Sequence, residues 1–232
     1  MIEHRPVSEL GGGDFGWLKA LHHFYVGAGS NPAHQAVGNL YVWNDDEIAP
    51  GTGFPLHPHR DVEIITYVRE GYITHRDSLG NTGRTEAGDV QVMSAGTGIE
   101  HEEVAAPAQR TKVFQIWIRP RERGGKPRWE TKPFPKKDRT GRFVVLASGF
   151  AEDADALLIR ADARVLGATL SAGQRLFHRM MPGRKAYLVA TGGQITLNDR
   201  VLEARDGAAV QDEAELRIEV FADTEIVLVD TI

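Results

Sequence analysis

Along most of the chain, apolar and polar positions alternate in short runs that glycine and asparagine interrupt. Val62-Glu-Ile-Ile-Thr-Tyr-Val68, Tyr72-Ile-Thr-His-Arg-Asp77, Val90-Gln-Val-Met93 and Lys112-Val-Phe-Gln-Ile-Trp-Ile118 are rich in β-branched and aromatic residues, which pack well on a pleated surface. Turn signals bound them, among them Gly71, Gly80-Asn81 and Ala87-Gly88-Asp89. Strands of ~5–8 residues at ~8–12-residue spacing predict an all-β sandwich or barrel. The second half continues in the same way through Arg142–Leu146, Arg164–Leu170, Lys185–Ala190, Leu216–Val220 and Ile226–Val229. Only Ala151–Ala161 is expected to form a helical turn or two. The glycine-rich stretch 11–38 is expected to be irregular, pinned by Phe15, Trp17, Leu18, Leu21 and Phe24.

The pattern also repeats. Glu86-Ala-Gly-Asp-Val-Gln-Val matches Glu203-Ala-Arg-Asp-Gly-Ala-Ala at an offset of 117, and Gly71-Tyr-Ile-Thr matches Gly193-Gln-Ile-Thr at 122. Two β barrels of one kind in tandem are the simplest account.

Composition narrows the classes. A net charge of −5 and a pI near 6.0 carry no nucleic-acid footprint. Cysteine is absent, which excludes disulfides, thiolate metal sites and a Cys nucleophile. The N-terminus shows no apolar leader, and no run approaches the ~18 apolar residues of a membrane span. A cytoplasmic location is the default expectation. Residues 117–140 hold 9 Lys/Arg against 3 Asp/Glu, with Pro120, Pro127, Pro133, Pro135 and Gly124-Gly125. The expected division is therefore a first domain at 1–120, a basic connector at 121–140 and a second domain at 141–232. The connector is expected to lie solvated on its acidic flanking domains, with docking to a protein partner as its other use.

The chemistry concentrates in Gly51-Thr-Gly-Phe-Pro-Leu-His57-Pro-His59-Arg-Asp-Val-Glu63 and Gly98-Ile-Glu-His101-Glu-Glu103. Side chains two apart on a strand share a face. His57 with His59, and His101 with Glu103, could thus meet around one divalent metal. Three nitrogens and one oxygen suit Fe2+, Ni2+, Mn2+, Cu2+ or Zn2+, with Fe2+ the expected metal. Glu63 has the parity of His57 and His59 and is a rival ligand. Glu102 faces away from His101. The second half holds one histidine, His178. Shifting His57 and His59 by 121 or 122 lands on His178/Met180 or Arg179/Met181, and shifting His101 and Glu103 by 117 lands on Ile218 and Val220. A second equivalent metal site is excluded. His75 is expected to support the site, His22, His23 and His178 to pack or face solvent, and His4 and His34 to have no role. Gly96-Thr-Gly98 is a tight turn rather than a phosphate loop.

Gly51-x5-His57-x-His59-x3-Glu63, followed by Gly88-x5-Ser94-x-Gly96 and His101, resembles the paired motifs of the cupin superfamily. More narrowly, Gly53-Phe-Pro-Leu-His-Pro-His-Arg60, His75-Arg-Asp-Ser-Leu-Gly-Asn81 and Gly88–His101 resemble the pirin family. The likeness is dense over residues ~38–120 and holds in outline beyond them. It implies two cupin (jelly-roll) barrels, the first with a metal and the second without ligands. It also implies a carboxylate ligand two residues after the last histidine, which is Glu103. The activity it implies is dioxygenation of a small aromatic substrate, a flavonol such as quercetin, by O2, with Glu103 as general base. Val42, Phe54, Val62, Ile64, Met93 and Ile116 are expected to wall the cavity, and the chain is expected to be a monomer. A non-enzymatic metal-binding regulatory module is the alternative from another class. A different cupin oxidation or isomerisation is the third.

Overall fold

Alternation along each strand sorts side chains onto two faces, and here those faces are satisfied by four stacked sheets. A computed structural model describes residues 1–232. In the first barrel a four-stranded sheet runs Gly53–His59, Ile99–Ala105, Tyr72–Asp77, Thr82–Glu86. Its seven-stranded partner runs Arg128–Lys132, Val90–Ser94, Glu63–Glu70, Thr111–Ile118, Leu40–Ile48, Leu18–His22, Gly11–Asp14. The second barrel repeats the plan. Its four-stranded sheet is Arg175–Arg179, Glu215–Val220, Ile195–Leu197, Arg200–Leu202. Its seven-stranded sheet is Ile2–Arg5, Gly207–Gln211, Lys185–Ala190, Thr224–Thr231, Ala163–Leu170, Val144–Ser148, Leu157–Leu158. Two tandem barrels of one topology are present, as the repeat predicts.

The seven-stranded sheets face one another across a shared core of 24 residues. Trp43, Tyr67, Phe114 and Ile116 of the first meet Tyr187, Val189, Val227 and Val229 of the second. Strands of these sheets are buried on both faces, which is why Glu63–Glu70 alternates so weakly. The interior of the second barrel is filled by 18 apolar residues. The first is not filled in this way. One end holds a cluster including Leu18, Ile48, Val68 and Val113, and the other holds Val62, Ile64, Met93, Ala95 and Ile99. Between them lie the buried polar side chains Thr66, His75, Gln91, Glu103 and Gln115.

Three local expectations change. Residues 11–38 contain strands Gly11–Asp14 and Leu18–His22, because Leu18 and Ala20 turn inward at the edge of the large sheet. Ala151–Ala161 forms no helix. Asp153 instead accepts hydrogen bonds from Ser148 Oγ (2.5 Å) and Arg164 Nε (2.6 Å), tying the start of the segment down as turns, and Leu157–Leu158 joins the large sheet. Hydrogen bonding also crosses the expected domain limits. Ile2–Arg5 pairs with Gly207–Gln211 in the second barrel, and Arg128–Lys132 pairs with Val90–Ser94 in the first. The connector's cations meet carboxylates of the second barrel, Arg121 on Asp162 and both Lys136 and Arg139 on Glu225. No helix is long and apolar enough to cross a membrane.

Candidate metal centre

The Gly53–His59 strand lies at the edge of its sheet, where Pro55 and Pro58 cost no ladder hydrogen bond on the open side. It runs antiparallel to Ile99–Ala105, with His57 opposite His101 and His59 opposite Ile99. The register then shifts, so that Glu103 stands opposite Phe54. An extra residue at Pro55-Leu56 makes this a bulge, a common way to re-aim a side chain beside a site.

His57, His59 and His101 converge. Their ring centroids are 4.7 Å (57–59), 4.5 Å (57–101) and 5.1 Å (59–101) apart. One nitrogen from each falls within 4.8 Å of the others. Glu103 does not join that trio. It sits beside His101 in a second group with His75 under the same limit. Two details favour a cation. His57 Nδ1 donates to the Pro55 carbonyl (2.7 Å), which leaves Nε2 bare. His101 Nε2 is buried without any partner, an uncompensated acceptor that a metal would satisfy. Burial, with the neighbouring histidines, lowers His101 to about 3 and His59 to about 4, so both rings are neutral, as ligation requires.

Glu103 is 2% exposed. Its carboxylate accepts from Gln91 Nε2, Gln115 Nε2 (2.8 Å) and Thr66 Oγ1 (3.4 Å). Burial outweighs these donors and raises it to about 7. The three donors escaped the sequence reading. Their signal was a polar residue at an inward position of an apolar strand, in Val-Gln-Val-Met and Phe-Gln-Ile-Trp.

The rival carboxylates lie elsewhere. Asp61, at φ 51°, ends the His59 strand, and the chain re-enters in the other sheet, so strand parity does not carry through to Glu63. Glu63 accepts from Ser94 Oγ (2.6 Å) and feels Arg160 of the second barrel. Glu102 pairs with Arg76 at the surface. Among the expected walls, Ile64 and Met93 pack with Trp117 at one end of the cavity, and Val42 sits opposite Trp117. Phe54 lies 6.5 Å from His57, and Trp117 meets His59 edge-on at 5.0 Å. Ile116 is a correction. It stands one position off that face and packs in the core between the barrels. His23 also packs there, against the Tyr187 hydroxyl (2.9 Å).

The second barrel shows what replaces the site. Leu176 pairs with Ile218 where His57 pairs with His101, and Val220 stands for Glu103; all three belong to the apolar filling. His178 pairs with Leu216 as His59 pairs with Ile99. The strand pairing thus sets the offset at 119, not 121 or 122, and His178 holds the station of His59. There it meets Asp230 (3.2 Å) and the edge of Phe143.

Comparison with known proteins agrees with this architecture. The Pirin family model matches residues 4–118, and a model described as the quercetinase C-terminal cupin domain matches 145–231. A pirin-like protein of Caulobacter vibrioides is 58% identical over 230 residues, 99% of each chain. A quercetin 2,3-dioxygenase of Escherichia coli is 36% identical over 231 residues, covering 99% of this chain and 98% of that one. The crystal structure of the Escherichia coli bacterial pirin YhhW in complex with nickel(II) superposes with a TM-score of 0.92 at 35% identity, covering 100% of this chain and 99% of that one. With relatives this close along its full length, and with both barrels in place, the chain belongs to the pirin family of cupins.

Proposed function

We propose that this chain is a metal-dependent dioxygenase of the pirin type that opens a flavonol such as quercetin with O2. His57, His59, His101 and Glu103 would hold one divalent transition metal, with Fe2+ the first expectation. The observation that carries the reading is the partnerless Nε2 of buried His101 beside the two other imidazoles. The names of the dioxygenase relative and the nickel-bound structure support it. A divalent metal held by four protein ligands keeps open positions and supplies Lewis-acid and redox chemistry for a flavonol and O2.

The protein's own groups supply the remainder. Glu103, buried beside the imidazoles, would take the proton of the flavonol 3-hydroxyl as general base. Gln91 and Gln115 hold that carboxylate on both oxygens. Phe54 and Trp117 offer aromatic walls.

The test is direct. Protein loaded separately with Fe2+, Ni2+, Mn2+ or Cu2+ is incubated with quercetin, and loss of flavonol absorbance and release of carbon monoxide are followed. Turnover with at least one metal is expected. No turnover with any would overturn the assignment. His57→Ala and His101→Ala should each abolish metal loading, and activity surviving that loss would overturn the ligand set.

A further inference from the structure

Behind His101, away from the three-imidazole face, runs a chain of hydrogen bonds whose donors and acceptors can be assigned one after another. It begins at Asp77, which is 7% exposed. Asp77 Oδ1 accepts from the backbone N–H groups of Leu79 (2.9 Å) and Asn81 (3.0 Å), and Oδ2 accepts from Asn81 Nδ2 (2.9 Å). With that many donors the carboxyl is ionised and can only accept. Its remaining neighbour is His75 Nε2 at 3.1 Å. His75 must therefore carry its proton on Nε2, leaving a lone pair on Nδ1. That lone pair faces His101 Nδ1 at 3.4 Å. His101 must then be protonated on Nδ1, and its lone pair falls on Nε2, the buried atom without a partner.

The ring of His75 is itself held. Trp129 of the Arg128–Lys132 strand stacks on it at 4.7 Å with an interplanar angle of 5°. Gly83, directly opposite His75 in the sheet, leaves the space, since a Cβ there would overlap the Trp129 ring.

We propose that His75 and Asp77 are positioning residues that fix His101 in its Nδ1-protonated tautomer and aim Nε2 at the metal. The inference rests on the reading of His57, His59 and His101 as ligands, and it extends the site by two residues and a connector tryptophan. It also separates the two groups of potential ligands. Both nitrogens of His75 are committed to hydrogen bonds, so His75 is not itself a ligand, and the cation belongs with His57, His59 and His101. Partners of this kind orient a ligand and raise its basicity; losing one costs about 10–100-fold in metal affinity.

Two measurements test this. In metal-free wild-type protein with 15N-labelled histidine, ring nitrogen shifts should show His101 protonated on Nδ1 and bare on Nε2, with His75 protonated on Nε2. The opposite tautomer at His101 would overturn the proposal, whether or not the protein turns over quercetin. The second measurement is Ni2+ affinity, by competition with a chromophoric chelator. His75→Leu should weaken binding about 10–100-fold. His75→Gln, whose Oε1 can accept from His101 Nδ1, should recover most of the loss. Unchanged binding in the His75→Leu protein, or no recovery in a folded His75→Gln protein, would overturn the positioning role. If wild-type protein bound no Ni2+, the ligand reading would fall, while the tautomer result would still stand or fall on its own.

Discussion

Glu103 sits among two amides and a hydroxyl, yet its carboxylate loses more by desolvation than those donors return. Asp46, buried in the same barrel and near Asp45 and Glu103, is raised to about 8 in the same way. A carboxyl raised in the folded state binds more protons there than when unfolded. It therefore takes stability away as the pH climbs from the ordinary carboxylate range up through about 7 for Glu103 and about 8 for Asp46. His101, His59, His75 and His23 are lowered, chiefly by burial. Each binds fewer protons folded than unfolded, so each withdraws stability as the pH falls below about 6.5. The Tm of the metal-free protein is thus expected to peak near pH 6.5–7 and to fall on both sides. Asp46→Asn should flatten the alkaline limb, because Asp46 is the carboxyl still losing its proton above pH 7. Glu103→Gln should instead steepen the acid limb, where its titration opposes that of the histidines. Thermal melts of chelator-treated protein across pH 5–9 measure both, and a monotonic profile would contradict this account.

At the scale of elements, the placement of the site depends on which strands meet. That His57, His59 and His101 would share a face was legible because strand alternation and glycine-bounded turns mark them, and alternation holds within any one strand. The same rule failed for Glu63, since the chain turns at Asp61 into a different sheet. The strand Arg128-Trp-Glu-Thr-Lys132 was hidden by charge and flanking prolines, although it completes the large sheet and carries Trp129 onto His75. What made it a strand is its partner, Val90–Ser94, forty residues away, and local composition does not encode that. The geometry makes Gly83→Ala informative. The added methyl must displace Trp129, and Ni2+ affinity should drop about tenfold, in the range for a disturbed supporting partner. Chelator competition checks this, with circular dichroism confirming that the fold survives. Wild-type affinity would show that the stack does nothing for the site.

At the scale of the whole molecule, the two barrels share one core, so neither buries its large sheet alone. A single cooperative unfolding transition is expected. All four tryptophans, at positions 17, 43, 117 and 129, lie in the first barrel or the strand that joins it. Tryptophan fluorescence therefore reports that barrel, while far-UV circular dichroism reports both. Their urea curves should coincide, and separated midpoints would show that the barrels unfold independently. Arg5 adds a further tie. Its guanidinium is 2% exposed, donates to the His23 carbonyl (3.2 Å) and the Gln35 carbonyl (3.0 Å), and lies over the rings of Phe24 and Tyr187. Arg5→Ala should cost about 2–4 kcal/mol in urea unfolding, through two orphaned carbonyls and lost packing, with quercetin turnover per folded molecule unchanged.

The crossed N-terminal strand also bears on how the protein is made. Ile2–Arg5 leaves the ribosome about two hundred residues ahead of its partner, Gly207–Gln211. Until then the first barrel can close around its site while the sheet bearing Trp43, Tyr67 and Phe114 stays bare. At about 5–20 residues per second, the roughly one hundred residues of the second barrel take about 5–20 s to appear. For that interval the nascent chain presents an aromatic face to the cell, a natural hold for a chaperone and a hazard on crowded polysomes.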